Sequence, residues 1–380
     1  MGSLKTENLD FIATACFICA LLHTFSTARI RRFARSYTGK PMQKAALHFL
    51  GEVETVFGLW AGIFLFFLAS IQGFSSAIHY LAQRNFHEPI FVFVVMTLFS
   101  TPGVLKVSRW LIYFLAHQLP LPRGIALYAV TLSIGPLFGS LITEPAAMTV
   151  TAFILLATVF KRKISMQCKY ATLGLLFVNI SVGGMLTPYA APPLLMVART
   201  WGWDLAFVFR TFGWKAILAI IFSTSIITFR FRRELEALPD VSPNSELRHS
   251  VQWLEALKIA FFLAGLVVLG APQRWWIEPI LLQLQAFPLY LSAIGLTAVT
   301  DNAALTYLGA QVPDLGNASR YALVAGAVVG GGLTLIANAP NLVGYGILSP
   351  TLGSEGIRPW LLFKNALLPT LLAAVCFWLL

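Results

Sequence analysis

Of the 380 residues, 57% are hydrophobic and only 11% are charged, and the mean hydropathy is +0.75. Soluble domains carry about 25% charged residues, so this composition excludes a soluble globular enzyme, a disordered chain and a nucleic-acid binder. The net charge of +11 rests on only 27 Lys and Arg residues; in so apolar a chain their placement reports membrane topology.

A membrane-crossing helix needs about 20 mostly apolar residues. Uninterrupted runs of that kind lie at 9–28, 47–72, 89–105, 207–229, 252–271 and 360–380. The first has no basic segment before it, so it reads as a span and not as a cleavable signal. It carries Cys16 and Cys19, but no second pair or His cluster accompanies this CxxC. The cysteines therefore read as small helix residues, and no metal cofactor or other cofactor is expected. Two further runs, 170–198 and 321–348, are long enough but are interrupted by Gly and Pro. Two more, 124–160 and 280–313, are apolar yet carry an acid and a polar cluster at their centres.

The basic residues sort these runs by side. Residues 29–44 and 161–169 hold Lys and Arg without any acid, and Arg230, Arg232 and Arg233 open the one sizeable polar loop, 230–250. Segments 73–89, 199–204, 272–278 and 314–320 each pair one basic residue with one acid. The positive-inside rule makes the first group cytoplasmic and the second external. With 106–123 also cytoplasmic, 124–160 enters and leaves on one side, as a re-entrant hairpin with its tip near Thr143 and Glu144. The stretch 280–313 enters from the opposite side, with its tip near Thr300 and Asp301. The expectation is an all-α polytopic membrane protein with about eight spanning helices, two re-entrant hairpins and two discontinuous helices. Both termini are expected outside.

The chain also repeats itself. Residues 143–149 (TEPAAMT) align with 300–306 (TDNAALT), identical at four of seven positions, and 182–195 (VGGMLTPYAAPPLL) align with 329–342 (VGGGLTLIANAPNL), identical at eight of fourteen. The charge pattern sets the two copies in opposite orientations, an inverted repeat. This divides the chain into N-terminal scaffold helices (1–122), a first repeat (123–229), a cytoplasmic linker (230–250) and a second repeat (251–380). Inverted repeats containing paired Gly/Pro-interrupted helices point to a secondary transporter. Backbone without helical hydrogen bonds cannot face lipid, so such interruptions line a cavity. A close-packed glycine face with proline kinks accounts for one such helix, but not for two in register.

Ionisable groups at membrane depth are costly and mark functional sites. Four of the sixteen acids qualify: Glu52, Glu54, Glu144 and Asp301. No cation lies beside Glu144 or Asp301 in the sequence, and a buried charge needs a partner. Carboxylates in that position hold either a proton or a metal cation, the requirement for sodium/proton exchange. Thr143, Asn302, Thr187, Thr334, Asn338 and Asn341 surround them with neutral oxygen donors suited to a hard cation such as sodium. His48 and Glu52, four residues apart, share a helical face and read as a proton relay or as an interfacial cluster.

The hairpin tips together with residues 330–341 (GGGLTLIANAPN) resemble the ion transporter superfamily, which includes sodium/dicarboxylate symporters, arsenite permeases and D-type sodium/proton antiporters. The likeness spans 124–348, about three-fifths of the chain. It implies an all-helical inverted-repeat fold and a homodimer that works by an elevator movement. Dicarboxylate members look to carry Ser-Asn-Thr at the tips, where this chain has Glu144 and Asp301, and like charge repels a dicarboxylate. The first interrupted arm also lacks the asparagine that the second has at Asn341, so unequal sites are expected. Among these relatives the chain is most similar to a family of sodium/proton antiporters. It reads as a secondary transporter of the cytoplasmic membrane, not an enzyme, exchanging monovalent cations for protons. The alternative is a sodium-coupled symporter of a dicarboxylate or small oxyanion. An intramembrane acid protease lacks its expected sequence context, and a non-transporting scaffold leaves the two mirrored acids unexplained.

Overall fold

The computed structural model describes residues 2–99, 101–238, 253–353 and 356–380. Most of the linker expected at 230–250 lies outside them. In chain order the helices are α1 (Gly2–Ser36), α2 (Pro41–Leu50), α3 (Val53–Gln72), α4 (Phe74–Ala82), α5 (His87–Phe99) and α6 (Pro102–Gln118). Then come α7 (Arg123–Leu137), α8 (Gly139–Ile142), α9 (Glu144–Leu155), α10 (Met166–Gly183), α11 (Pro192–Trp201), α12 (Leu205–Val208), α13 (Trp214–Arg230) and α14 (Arg232–Glu236). The chain resumes with α15 (Trp253–Gly270), α16 (Arg274–Gln283), α17 (Ala286–Thr297), α18 (Asn302–Ala310), α19 (Asn317–Gly330), α20 (Pro340–Leu348) and α21 (Pro359–Leu379). No strand occurs among the described residues.

Among the described residues, seven helical segments are long and apolar enough to cross a membrane, and α5 with α6 adds an eighth if this bent pair is one span. The chain is thus an all-α, multi-pass integral membrane protein. Two details differ from the sequence expectation. Residues 106–118 belong to α6 and are not a polar connector. Arg123–Ile142 is by itself long and apolar enough to cross a membrane, where one arm of a re-entrant hairpin is expected. The 321–348 run is interrupted, as its Gly and Pro residues suggest: α19 stops at Gly330 and α20 starts only at Pro340.

The helices form two compact units. One comprises residues 1–94, 253–283 and 307–315. In it α3 and α15 meet backbone to backbone: a Cβ on Gly265 would lie 2.3 Å from the Gly58 nitrogen. Small residues permit that approach, as they do in membrane helix pairs generally. Phe17, Phe57 and Phe262 stack edge to face beside it. Glu52 pairs with Lys258 of α15 at 3.1 Å.

The other unit holds residues 95–252, 284–306 and 316–380, and with them both copies of the acid-bearing tip. Its centre is α10, whose span is 94% buried; a helix apolar on all sides belongs inside a bundle. Around it, α7 and α9 run as an antiparallel pair about Thr143. Gly139 faces Ala147 and Gly135 faces Thr151, positions equidistant from that residue. The chain therefore doubles back at Thr143. In the second copy α17 lies along α19, where Gly326 and Gly330 approach the carbonyls of Tyr290 and Ile294. In the first copy Gly183 approaches the carbonyl of Pro136 in the same manner. The order of helix, break, helix, interrupted helix, final helix therefore recurs in the two copies.

Candidate functional site

The site grows from two breaks in helical structure. At Thr143 the chain turns with φ +82°, the one positive-φ residue other than glycine among the described residues, and α9 starts at once on Glu144. At Gly331 the second interrupted helix unwinds until Pro340 restarts it as α20. Side chains from both breaks meet.

Glu144 is fully buried. Its Oε2 accepts a hydrogen bond of 2.8 Å from the Asn338 side-chain amide, while Oε1 has no hydrogen-bond partner. Oε1 lies against Gly184, where a Cβ would come within 2.4 Å of it. One residue away, the Ala337 carbonyl accepts from the Asn302 backbone N–H at 3.1 Å. The Asn302 side chain is buried, and neither of its amide atoms is bonded. Its Nδ2 lies beside Gly331, the residue aligned with Gly184. Asn341 donates to the Gly331 and Thr334 carbonyls at 2.7 and 2.8 Å, leaving Oδ1 unbonded. The Asn338 Oδ1 and Thr143 Oγ1 atoms are likewise buried without partners.

Buried polar atoms in folded proteins are nearly always bonded. Here five buried oxygens without partners (Glu144 Oε1, Thr143 Oγ1, and the side-chain oxygens of Asn302, Asn338 and Asn341) belong to one chain of contacting residues, and one of them carries negative charge when ionised. Hard oxygen donors around a carboxylate suit a sodium ion, and the carboxylate alone can hold a proton.

Other expected site residues sit differently. Asp301 is half-buried, and its Oδ1 accepts from the backbone N–H groups of Ala303 and Ala304 at 2.8 and 3.2 Å, which caps α18. Thr187 donates to the Ser140 carbonyl and Thr334 to the Ala298 carbonyl, both at 2.8 Å. These equivalent threonines tie each unwound stretch to the residues just before its acid-bearing tip. His48 and Glu52 do not share a helix as their spacing suggests, because α2 ends at Leu50 and Glu52 only precedes α3.

Sequence reasoning missed Ser140 and Ser181. Ser140 Oγ donates to the Gly183 carbonyl at 2.6 Å and accepts from the Leu186 N–H at 2.9 Å, so it clasps the hairpin to the first unwound stretch. Ser181 donates to the Val328 carbonyl and abuts Gly331. A serine in an apolar helix gives no signal of this kind until its neighbours are known.

Against known protein families, the chain matches the model described as "Putative Na+/H+ antiporter" over residues 8–254 and 244–380. The chain belongs to this family. Membership agrees with the helical membrane fold and makes sodium ions and protons the expected cargo of the antiporter family. A transporter family is not an enzyme class. No curated protein sequence matches the chain.

Proposed function

We propose that the chain exchanges Na+ for H+ through Glu144, with Asn338, Asn302, Asn341 and Thr143 completing the shell around the ion. The observation that carries this reading is the unpartnered, fully buried Glu144 Oε1, on a chain of contacting residues that holds four further buried oxygens without partners. When sodium is bound, Oε1 and the amide oxygens face the ion, and the Asn338 amide N–H group holds Oε2. When the carboxyl is protonated, its O–H becomes a donor and an amide oxygen is the natural acceptor. Proton and sodium therefore occupy the same group in turn. Asp301 supplies a helix cap, and its charge is not the exchanging one. The charge distribution supports insertion in a cytoplasmic membrane with segments 29–44 and 161–169 inside and both termini outside.

Dye-monitored proton release from everted vesicles on addition of Na+ tests this. Wild type and Asp301→Asn are expected to respond, and Glu144→Gln is expected to be silent at every pH. The half-saturating Na+ concentration should fall by about tenfold per pH unit while one proton competes with one ion. Undiminished exchange by Glu144→Gln sinks the assignment.

A further inference from the structure

A cavity of about 370 Å³ opens between α7 and α13, and Glu144 is not among the residues that line it. Its walls are two rows at four-residue spacing: Ile125, Ala129 and Ser133 from α7, and Ile221, Ser225 and Phe229 from α13. Such rows are the ridges that border the groove between packed helices. The polar groups of the walls are largely turned to protein. Ser133 donates to the Ala129 carbonyl at 2.7 Å and Thr224 to the Leu132 carbonyl at 3.2 Å, so the groove presents mostly hydrocarbon. From Ile221 to Phe229 it runs about 12 Å along the helix, close to the ~15 Å depth of one leaflet's hydrocarbon.

Its two polar features lie at one end. Thr228 lines the groove, is 91% buried and has a hydroxyl with no hydrogen-bond partner. Four residues on, Arg232 forms the mouth, its guanidinium lying 4.4 Å from the centre of the Phe229 ring. Arg232 is held there because α14 packs on the start of α7: a Cβ on Gly124 would lie 2.1 Å from the Leu235 carbonyl. Arg230 and Arg233 flank Arg232 in the sequence. The nearby Glu234 is engaged by Ser165, whose N–H and hydroxyl bond its carboxylate at 2.8 and 2.9 Å.

We propose that this groove binds an anionic phospholipid: one acyl chain lies between α7 and α13, the Thr228 hydroxyl donates to an ester carbonyl, and Arg232 pairs with the phosphate. An apolar groove of one leaflet's depth in a membrane protein is filled by hydrocarbon. An unpartnered hydroxyl followed by a cation matches the order of tail, ester and phosphate in a lipid. Positive charge at the mouth selects anionic headgroups. Thr224 lines the same groove and bonds the Leu132 carbonyl together with Asn179, so a bound lipid braces the packing of α7, α10 and α13.

The test is titration of the detergent-purified full chain with phosphatidylglycerol, with phosphatidylcholine of the same tails, and with glycerol phosphate, read by native mass spectrometry and thermal stability. Phosphatidylglycerol is expected to bind about fivefold more tightly than phosphatidylcholine, the effect of one cation near a lipid phosphate. Glycerol phosphate should produce no shift. Arg232→Gln should remove the preference and Arg232→Lys keep it. Thr228→Val should weaken both lipids alike, and Ala129→Phe, which fills the groove, should displace both. Equal binding of the two lipids, a preference that survives Arg232→Gln, undiminished binding in Ala129→Phe, or a full response to glycerol phosphate overturns the proposal. Arg232 is exposed, so its variants remain informative even if Ala129→Phe fails to fold.

Discussion

At the scale of single residues, the position of the Glu144 carboxylate depends on what Gly184 lacks. A methyl group on Gly184 would fall 2.4 Å from Oε1, whereas one on Gly183 would fall 2.3 Å from the backbone carbonyl of Pro136. The two neighbouring glycines thus have separable duties. Gly184→Ala pushes the Glu144 side chain and also sets a Cβ 2.9 Å from that of Ala191, so Na+-dependent proton release should be lost with a smaller fall in thermal stability than main-chain collision causes. Gly183→Ala pushes main chain against main chain and should lower the thermal midpoint together with activity. Thermal scans alongside the vesicle assay distinguish the two; equal loss of stability in both variants contradicts the division. Neither duty is legible in the sequence, where the pair reads only as a point of helix weakness.

At the scale of elements, α7 shows how the chain accommodates a proline inside a buried helix. Pro136 has no N–H to give the Leu132 carbonyl one turn earlier. That carbonyl instead accepts from the Asn179 amide at 2.8 Å and the Thr224 hydroxyl at 3.2 Å, and Ser223 bonds the other end of the same amide. Asn179→Leu should therefore destabilise the protein by roughly 1–3 kcal/mol, the cost of leaving buried polar groups unbonded. Adding Pro136→Ala restores an N–H to Leu132 and should recover part of the loss. A double-mutant cycle of thermal unfolding in detergent measures the coupling, and strict additivity refutes this account. The sequence shows Asn179 only as an amide shortly before a glycine pair. What it could not show is that a proline forty-three residues earlier had left an acceptor for it to fill. The helices themselves were far more readable, since length and apolarity alone decide whether a segment can span. The two interrupted helices were also anticipated, because Gly-Gly and Pro act locally. The break between His48 and Glu52 was not, although Gly51, which caps α2, stands in it.

At the scale of the whole chain, duplication explains both the likeness and the inequality of its halves. Aligned residues pack alike: Gly183 and Gly330 each meet a hairpin carbonyl, and Thr187 and Thr334 each bond one. The acids do not behave alike. Asn338, which bonds Glu144, aligns with Ala191, so the amide that Asp301 would meet by symmetry is missing. Asp301 caps its own helix instead. The alignment held this asymmetry, but it became interpretable only once Asn338 was seen on Glu144.

The lone Asn338–Glu144 contact also bears on bioenergetics. A carrier with one exchanging carboxylate returns one proton for each sodium ion and moves no net charge in a full cycle. Its driving force is then the difference between the two ion gradients, and the membrane voltage does no work on it. Imposing a potassium diffusion potential with valinomycin should leave the exchange rate unaltered. Acceleration by an interior-negative potential would show that a second charge travels with the ion. A cell relying on such an exchanger could expel sodium even with its membrane depolarised, provided that its pH gradient persisted.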